Sequence, residues 1–486
     1  MDAITLPAVS DDDNRTLNLL LEQLDAKARR NKLRSAYYDM KHMTKLVGSV
    51  IPPTYWKLGT VLGWSGKAVD ILARRTNLDG FVWPDGDLNS LGWREVWEGN
   101  NLRSEVSQGT TSALIHSTAF IVNTQGGEGE PDALIHFRDA KNATGEWNGR
   151  TRRLDSLLSI IARDGEDQPT ELALYLDGRT ITAKKDSSGW SVDVQEHDWR
   201  VPAEPLPYKP RLDRPFGSSR ICREAMKLQD QATRALIRLE AHSDIYAIPD
   251  LWLLGADQSI FKNADGSLKA AWQVVMGRIK GVPDREGDDA RDDQLDRADV
   301  KQFPAASPAP HLEALNAFAK MFARAKSLPD TAVAITDMAN PTSAESYDAS
   351  QHELIAEAEG ATDDWSPYLR RAGIRALAMA NGIAAKDIPA KWATIDTKWR
   401  DPRYLSRAAQ ADAGTKQLSA IPWLADTEVG LELLGLDRQQ IERAMAEQQR
   451  AQAGQRLREQ LAAAAQAARQ DPAVAALEAG TGGNGG

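Results

Sequence analysis

The sequence predicts an α+β fold. Three observations carry that expectation. Ser219 to Ser243, and a second run from about His311, place apolar residues at helical spacing. Asn77 to Pro210 instead holds short apolar runs punctuated by turn residues, as strands do. The segment from Glu442 to Gln470 is rich in Ala and Gln, with strong helix propensity and little apolar payload.

Taken in order, residues 1 to 13 are polar and acidic, with Asp11-Asp12-Asp13, and are expected to be mobile. Leu17 to Lys32 reads as a helix with Leu17, Leu20, Leu21 and Leu24 on one side; Arg29, Arg30 and Lys32 near its end suit the dipole. Tyr37 to Tyr55 is mixed and is broken by Pro52-Pro53. Trp64 to Thr76 is a second helical segment carrying Val69, Ile71 and Leu72. Ser90 to Asn100 and Thr110 to Ser117 are further helices. Strands are expected at Phe120–Val122, Ala133–Phe137, Leu172–Leu176, Thr180–Ala183 and Trp190–Val194. Asp177-Gly178 lies between two of them and predicts a type I′ hairpin, which needs positive φ. Trp199 to Pro210 is Pro-rich and extended.

A turn, Arg214 to Ser218, then opens the long helix from Ser219 to Ser243. Ile221, Ala225, Leu228, Ala232, Ala235 and Leu239 fall within about 40° of one line, with Arg223, Lys227, Arg234 and Arg238 opposite. At about 1.5 Å per residue the rod is roughly 37 Å long. The plain reading is a surface helix with a solvated basic face. Tyr246 to Ala306 holds an apolar strand, Leu251–Leu254, a helical segment, Leu268–Ile279, and an acidic stretch from Asp284 to Asp299. That stretch is either a solvated loop or a docking surface for a basic partner. In the next helix Leu312, Leu315, Phe318, Ala319 and Phe322 oppose Glu313, Lys320 and Arg324. Ser307-Pro308 starts it and Leu328-Pro329-Asp330 ends it.

Thr342-Ser343-Ala344-Glu345 is a capping box. It leads a helix to Asn381 with an expected interruption at Gly360. Trp392–Trp399 reads as a strand and Arg407–Gln417 as a helix, before a turn at Pro422-Trp423. The helix after Thr427 ends with Gly435 in the C′ role, and Asp437 caps the last helix. Asp471-Pro472 stops that helix, and Gly480–Gly486 is a flexible tail.

The 486 residues suffice for two to four domains. No apolar run approaches the roughly 18 residues of a membrane span, and the N-terminus lacks a secretory signal pattern. Cys222 is the only cysteine, so no internal disulfide forms, in keeping with a reducing cytoplasm. A net charge of −10 argues against gripping nucleic acid by bulk charge, though not against surrounding a duplex that must slide. Catalytic motifs fail on inspection. Gly63-Trp64-Ser65-Gly66-Lys67 lacks the first Gly and the hydroxyl of a P-loop. His352-Glu353 lacks the second His of a zincin, because Ala356 stands there. Gly217-Ser218-Ser219 lacks the flanking Gly of a nucleophile elbow. No cofactor is expected.

Certain motifs recur in a telling order. Tyr37-Tyr38 precedes a basic segment. Leu78-Asp79-Gly80-Phe81 precedes Trp97-Glu98-Gly99-Asn100-Asn101. Leu228-Gln229-Asp230-Gln231-Ala232 lies inside the long helix, and Asn340-Pro341-Thr342-Ser343-Ala344-Glu345 leads a later one. From about Leu17 to Gln449 the chain resembles the portal proteins of tailed bacteriophages, in the family that includes small siphophage portals.

The resemblance implies a portal fold with an α/β wing, a two-helix stem, a small α/β clip and a helical crown. The N-terminal region and wing would span 1–218, the first stem helix 219–245, the clip 246–306 and the second stem helix 307–327. A tunnel loop would follow at 328–341, the long helix and wing return at 342–403, the crown at 404–472 and the tail at 473–486. It further implies a non-enzymatic ring of about twelve copies at one capsid vertex, closed by heterologous contacts. Double-stranded DNA would pass through during packaging and ejection. The terminase large subunit, the head–tail adaptor and the major capsid protein would be partners, with no membrane. The protein would reside in the virion after assembly in the host cytoplasm.

Candidate channel or subunit-contact residues are Arg223, Lys227, Arg234, Arg238, Lys320 and Arg324. The tunnel loop would present Asp330, Thr331, Asp337, Met338 and Asn340, and the clip would dock partners through Asp288, Asp289, Asp292 and Asp293. The apolar stripe of the first stem helix would pack against neighbouring copies. The rival readings are a soluble α/β enzyme with no recognisable motif and a scaffold built on the C-terminal helix.

Overall fold

The structure, a computed structural model, describes residues 3–43, 60–246, 251–254, 266–267, 279–282, 299–302, 306–334, 349–404 and 406–470. It divides into two compact units, Met1–Pro402 and Arg403–Gly486.

In the first unit, helix α1 spans Asp11–Tyr38. The acidic run expected to be mobile is its first turn. Ser10 Oγ accepts from the Asp13 N–H at 3.1 Å, and the carboxylates meet the positive end of the helix dipole. The Asn14 and Asn18 side chains accept from the backbone N–H groups of Leu6 and Ile4 and hold both residues in the core.

Five strands follow one another as an antiparallel sheet: β4 (Ala143–Asn148), β5 (Arg153–Arg163), β6 (Pro169–Leu176), β7 (Arg179–Asp186) and β8 (Gly189–Glu196). Its two faces follow the two-residue period of a strand. Leu158, Ile160, Leu172, Leu174 and Ile181 pack under Leu17, Leu20, Leu21 and Leu24 of α1. Leu157, Ala173 and Tyr175 face the other way, onto Phe120, Val122 and Ala203. The β6–β7 hairpin turns at Asp177-Gly178 as expected, but only Gly178 has positive φ (77°), so the turn is not type I′. A second sheet orders β3 (Ala133–Asp139), β2 (Thr118–Gln125) and β9 (Ala203–Pro207). Strand β1 (Leu78–Val82) pairs with β13 (Asp396–Trp399), so the last part of the unit returns to the first.

Between these lie α2 (Trp64–Ala73), α3 (Trp93–Gly99) and α4 (Leu102–His116). Helix α5 runs Arg223–Tyr246, α6 runs Ala309–Ala325 and α7 runs His352–Ala380. Gly360 does not interrupt α7. Leu354, Ala358, Ala361, Trp365, Leu369, Ala372 and Ala376 form one buried stripe through it, and that burial outweighs the cost of about 1 kcal/mol for glycine in a helix. Between α5 and α6, β10 (Leu251–Leu254) is the centre of a three-stranded sheet. It is parallel to β11 (Ile279–Val282) and antiparallel to β12 (Asp299–Gln302). Ile279, expected at the end of a helix, begins a strand. The rest of that expected helix, Pro52-Pro53 and the Thr342–Glu345 capping box lie outside the described residues.

The second unit comprises α8 (Arg407–Ala420), a 3-10 turn (Pro422–Asp426), α9 (Glu428–Leu433) and α10 (Arg438–Gln470). Gly435 (φ 83°) ends α9: its N–H donates to Glu432 O at 2.9 Å and the Leu436 N–H to Leu431 O at 3.3 Å, a Schellman closure. Asp437 Oδ1 accepts from the Gln440 N–H at 2.9 Å while Gln440 Oε1 accepts from the Asp437 N–H at 3.0 Å, a capping box that starts α10. Among the described residues of α10 only Ile441 is a buried hydrophobic.

His116, at the end of α4, is buried, and its Nε2 is 2.9 Å from Ser35 Oγ on α1. Burial lowers its pKa to about 4. The unfolded chain therefore binds a proton between roughly pH 6.5 and 4 that the folded chain does not, and stability falls on acidification through that window. The loss reaches about 3 kcal/mol by pH 4. Urea unfolding from pH 7 to 4 should show this slope, and a His116→Gln chain should show a shallower one.

Candidate functional site

Helices α5 and α6 form an antiparallel hairpin. At one end Arg220 and Cys222, just before α5, touch Lys326, just after α6. At the other, the His242 and His311 rings meet edge to face at 5.2 Å. Ile221, Ala225, Ala232 and Ala235 are buried as the stripe predicts, and Leu228 and Leu239 are half-buried. On α6, Leu315, Ala319 and Phe322 are buried, while Leu312 is exposed. The stripe is spent within the chain, not on a neighbouring copy. Ile221, Ala225 and Ala232 join one core with Leu315, Ala319, Phe322 and residues of α2 and α7, and Trp64 packs against Phe322 at 5.5 Å. Small alanines let the two helices approach closely, so the hairpin fills its own apolar seam.

The root of the hairpin is organised by Arg220, whose side chain is 3% exposed. Its Nε donates to Ala68 O of α2 at 2.7 Å and its Nη2 to Lys326 O at the end of α6 at 2.6 Å. Its Nη1 donates to Tyr208 Oη at 3.1 Å and to Glu357 Oε1 of α7 at 3.3 Å. The Arg220 N–H donates to Leu114 O of α4. One planar cation thus satisfies groups on α2, α6 and α7 and the chain after β9. Glu357 also accepts from Tyr208 and from Lys209 Nζ. Burial pushes the Glu357 carboxyl up, but those hydrogen bonds and the Arg220 charge outweigh it and hold the group below its ordinary value. Lys326 Nζ reaches Cys222 Sγ at 2.9 Å. Burial raises that thiol, but the lysine and the first N–H groups of α5 leave it lowered on balance.

Higher on the hairpin, motif residues act as ties. Tyr37 Oη donates to Asp230 at 2.8 Å, and His42 stacks on the Tyr37 ring at 4.1 Å. Gln229 Oε1 accepts from the Ser65 N–H at 2.9 Å, at the first turn of α2. Tyr38 Oη donates to Asp70. A second buried ion group binds α7 to β9: Glu204 accepts from Arg371 at 2.7 Å and from Arg375 at 2.6 Å, and Arg375 also donates to Asn123 at 3.0 Å.

The cations singled out from sequence remain outside this packing. Arg223, Lys227, Arg238, Lys320 and Arg324 are exposed and Arg234 is half-buried. Lys227 lies 4.0 Å from Asp230 on its own helix. Asp330 and Thr331 are exposed in a 3-10 turn, Asp330–Ala332, whose neighbours Leu328 and Pro329 are buried and whose Val333 packs on the core. This part of the expected loop lies down on the unit. Asp337, Met338, Asn340, Asp288, Asp289, Asp292 and Asp293 lie outside the described residues. Sequence reasoning missed Arg220, Glu357, Tyr208, Glu204 and Arg375. Their one signal is charge inside otherwise apolar surroundings, which the linear chain does not display. Among the described residues no group of three or more His, Cys, Asp or Glu is placed to hold a metal ion, and no helix is long and apolar enough to cross a membrane.

The family model for phage portal proteins of the SPP1 Gp6-like type matches residues 17–454. The chain belongs to this portal family. The portal protein of Mycobacterium phage L5 is 27% identical over 395 residues, covering 79% of this chain and 77% of its own length. That of Mycobacterium phage D29 is 25% identical over 402 residues, again covering 79% and 77%. Among solved structures, the neck of a native gene transfer agent particle, computed with C12 symmetry, is similar with a TM-score of 0.37 at 17% identity, over 79% of this chain and 94% of that one. The neck of the empty particle, computed with C6 symmetry, gives 0.40 at 17%. Scores at that level carry nothing further about this portal-family chain.

Removing Arg220 leaves two helix carbonyls without their donor in the interior and leaves Glu357 with Tyr208 and Lys209 alone. Arg220→Met should lower the stability of the first unit by about 3–5 kcal/mol, and Arg220→Lys should recover little because an ammonium cannot span the fork. Denaturant unfolding monitored by tryptophan fluorescence reads both.

Proposed function

We propose that the chain is the subunit of a portal ring, of about twelve copies closed by heterologous contacts, at one vertex of a phage capsid. Double-stranded DNA passes through its channel during packaging and ejection. The observation that carries the reading is a portal-family match over most of the chain, on a fold whose helical hairpin is rooted by buried contacts. In this reading α5 and α6 are the stem, the sheet between them belongs to the clip, the β-rich region is the wing and the second unit is the crown.

The hairpin suits a wall that must not deform: its apolar seam is closed within the subunit, and its cationic side is left for a neighbour or for the channel. The cations are spaced and not massed, and the chain is acidic overall, so phosphates are met without being held tightly. The clip, with its acidic stretch, docks the terminase large subunit and later the head–tail adaptor. The wing meets the major capsid protein. Assembly takes place in the host cytoplasm, and the ring hydrolyses nothing itself. No observation favours the rival α/β enzyme.

Negative-stain images of the assembled protein test the ring directly, and a chain that stays monomeric at every concentration would overturn it. If the hairpin cations line the channel, reversing the charge of Arg223, Lys227 and Arg238 together should leave rings intact while changing DNA packaging or retention. Loss of rings in that variant would instead place these residues at subunit contacts.

A further inference from the structure

Cys222 is the single cysteine of the chain and stands immediately before α5, where its carbonyl accepts from the Met226 N–H at 3.1 Å. It is partly exposed. A lone thiol at a helix start is ordinary; its neighbour is not. Lys326, which follows α6, is only 8% exposed. Its Nζ lies 2.9 Å from Cys222 Sγ and, among the described residues, makes no other hydrogen bond or ion pair. A buried ammonium is costly unless a negative charge answers it, and a neutral thiol is a weak acceptor. The pair is therefore satisfied as thiolate and ammonium.

The surroundings carry the same sign. The Glu224 and Ala225 N–H groups in the first turn of α5 point at the sulfur, and Arg34 of α1 lies close enough to feel its charge. Neither partner rides on a loose segment. Lys326 O accepts from Arg220 Nη2 at 2.6 Å, the Lys326 N–H donates to Phe322 O at 3.1 Å, and the Arg220 N–H donates to Leu114 O at 2.8 Å. A thiolate held beside a cation and within reach of solvent is a nucleophile toward peroxide, and its first oxidation product is a sulfenic acid. With one cysteine in the chain, no second thiol of the same chain can resolve that acid. The nitrogen of Lys326 stands in the place of one.

We propose that Cys222 and Lys326 form a covalent bridge on exposure to hydrogen peroxide, a sulfenamide that joins the start of α5 to the end of α6. In the first step the thiolate sulfur attacks one peroxide oxygen. The S–O bond forms, the O–O bond breaks, and the departing hydroxide takes a proton from the Lys326 ammonium and leaves as water. Sulfur is oxidised by two electrons and peroxide is reduced by the same two. In the second step the amine, now neutral, attacks the sulfenic sulfur. The N–S bond forms, the S–O bond breaks, and the leaving hydroxide carries away a proton from nitrogen as water. Thiols cleave such a bond, so the bridge is absent in a reducing cytoplasm and closes when peroxide reaches the protein outside it. It ties positions 104 residues apart at the root of the hairpin, which restricts the unfolded chain and stabilises the folded one. This chemistry does not depend on the ring reading.

The test treats the full-length chain with hydrogen peroxide at neutral pH and maps its peptides by mass spectrometry, with dimedone added to a parallel sample to trap sulfenic acid. Wild type should yield the Cys222 peptide joined to the Lys326 peptide, lighter than their sum by two hydrogens and separated again by dithiothreitol. Oxidised wild type should also unfold at a higher urea concentration, by a shift that dithiothreitol removes. Lys326→Met should give no linked peptide and a dimedone adduct on Cys222 instead, and Cys222→Ser should give neither. Should Lys326→Met fail to fold, the wild-type map decides alone. Wild type in which Cys222 stays a thiol, stops at the dimedone adduct or proceeds to sulfinic acid with no linked peptide would overturn the bridge, as would linkage to any other lysine.

Discussion

The Arg220 guanidinium is the constraint on which the rest of the first unit depends. It lies where α2, α4, α6, α7 and the chain leaving β9 converge, and it is almost wholly removed from water. An unpaired buried cation there would cost several kcal/mol, so each neighbouring element must present its acceptor in place before the charge is tolerable. That requirement couples the elements. Moving α6 away strips the arginine of the Lys326 carbonyl, and moving α7 strips it of Glu357. Glu204 with Arg371 and Arg375 applies the same logic one layer away and ties α7 to β9.

With its root held in this way, the α5–α6 hairpin can be long without depending on neighbours for its fold. Its apolar seam is filled from within by alanines, Phe322 and Trp64. What remains outside is a set of cations. In a subunit proposed to line a channel, that division is physically sensible: the part that must stay rigid is closed by packing, and the part that meets other molecules is left polar.

Much of this was legible from the sequence, and the reasons are local. The expected strands from Phe120 to Val194, the stem-helix stripe, the Gly435 stop and the Asp437 cap all rest on spacing or on a residue within a few positions, whereas the strand expected over Trp392–Trp399 begins only at Asp396, after a 3-10 helix at Ala390–Thr394. The misreadings have local causes too. Asp11-Asp12-Asp13 looks like a solvated tail until Ser10 is recognised as the cap that makes it a first turn. Strand β5 was missed because Leu157 and Leu158 are buried on opposite faces and Ile161, beside buried Ile160, is an exposed apolar residue, so adjacent apolar pairs erase the alternation. Gly360 looks like a helix break, yet burial of the stripe on either side carries α7 through it, and through Pro367 as well.

By itself the sequence determined the α+β class, the order of the helices and strands and, through Tyr37-Tyr38, Gln229-Asp230 and their companions, the family. It did so because those properties depend on periodicity and on motif order. Only the tertiary structure decided what those motifs do: Tyr37 holds Asp230, and Gln229 caps α2. Only the tertiary structure made Arg220 the hub, and only it turned the stem stripe inward. Those outcomes depend on residues more than a hundred positions apart meeting in a low-dielectric interior, where the value of a charge or a methyl group is set by what surrounds it and not by its neighbours in the chain.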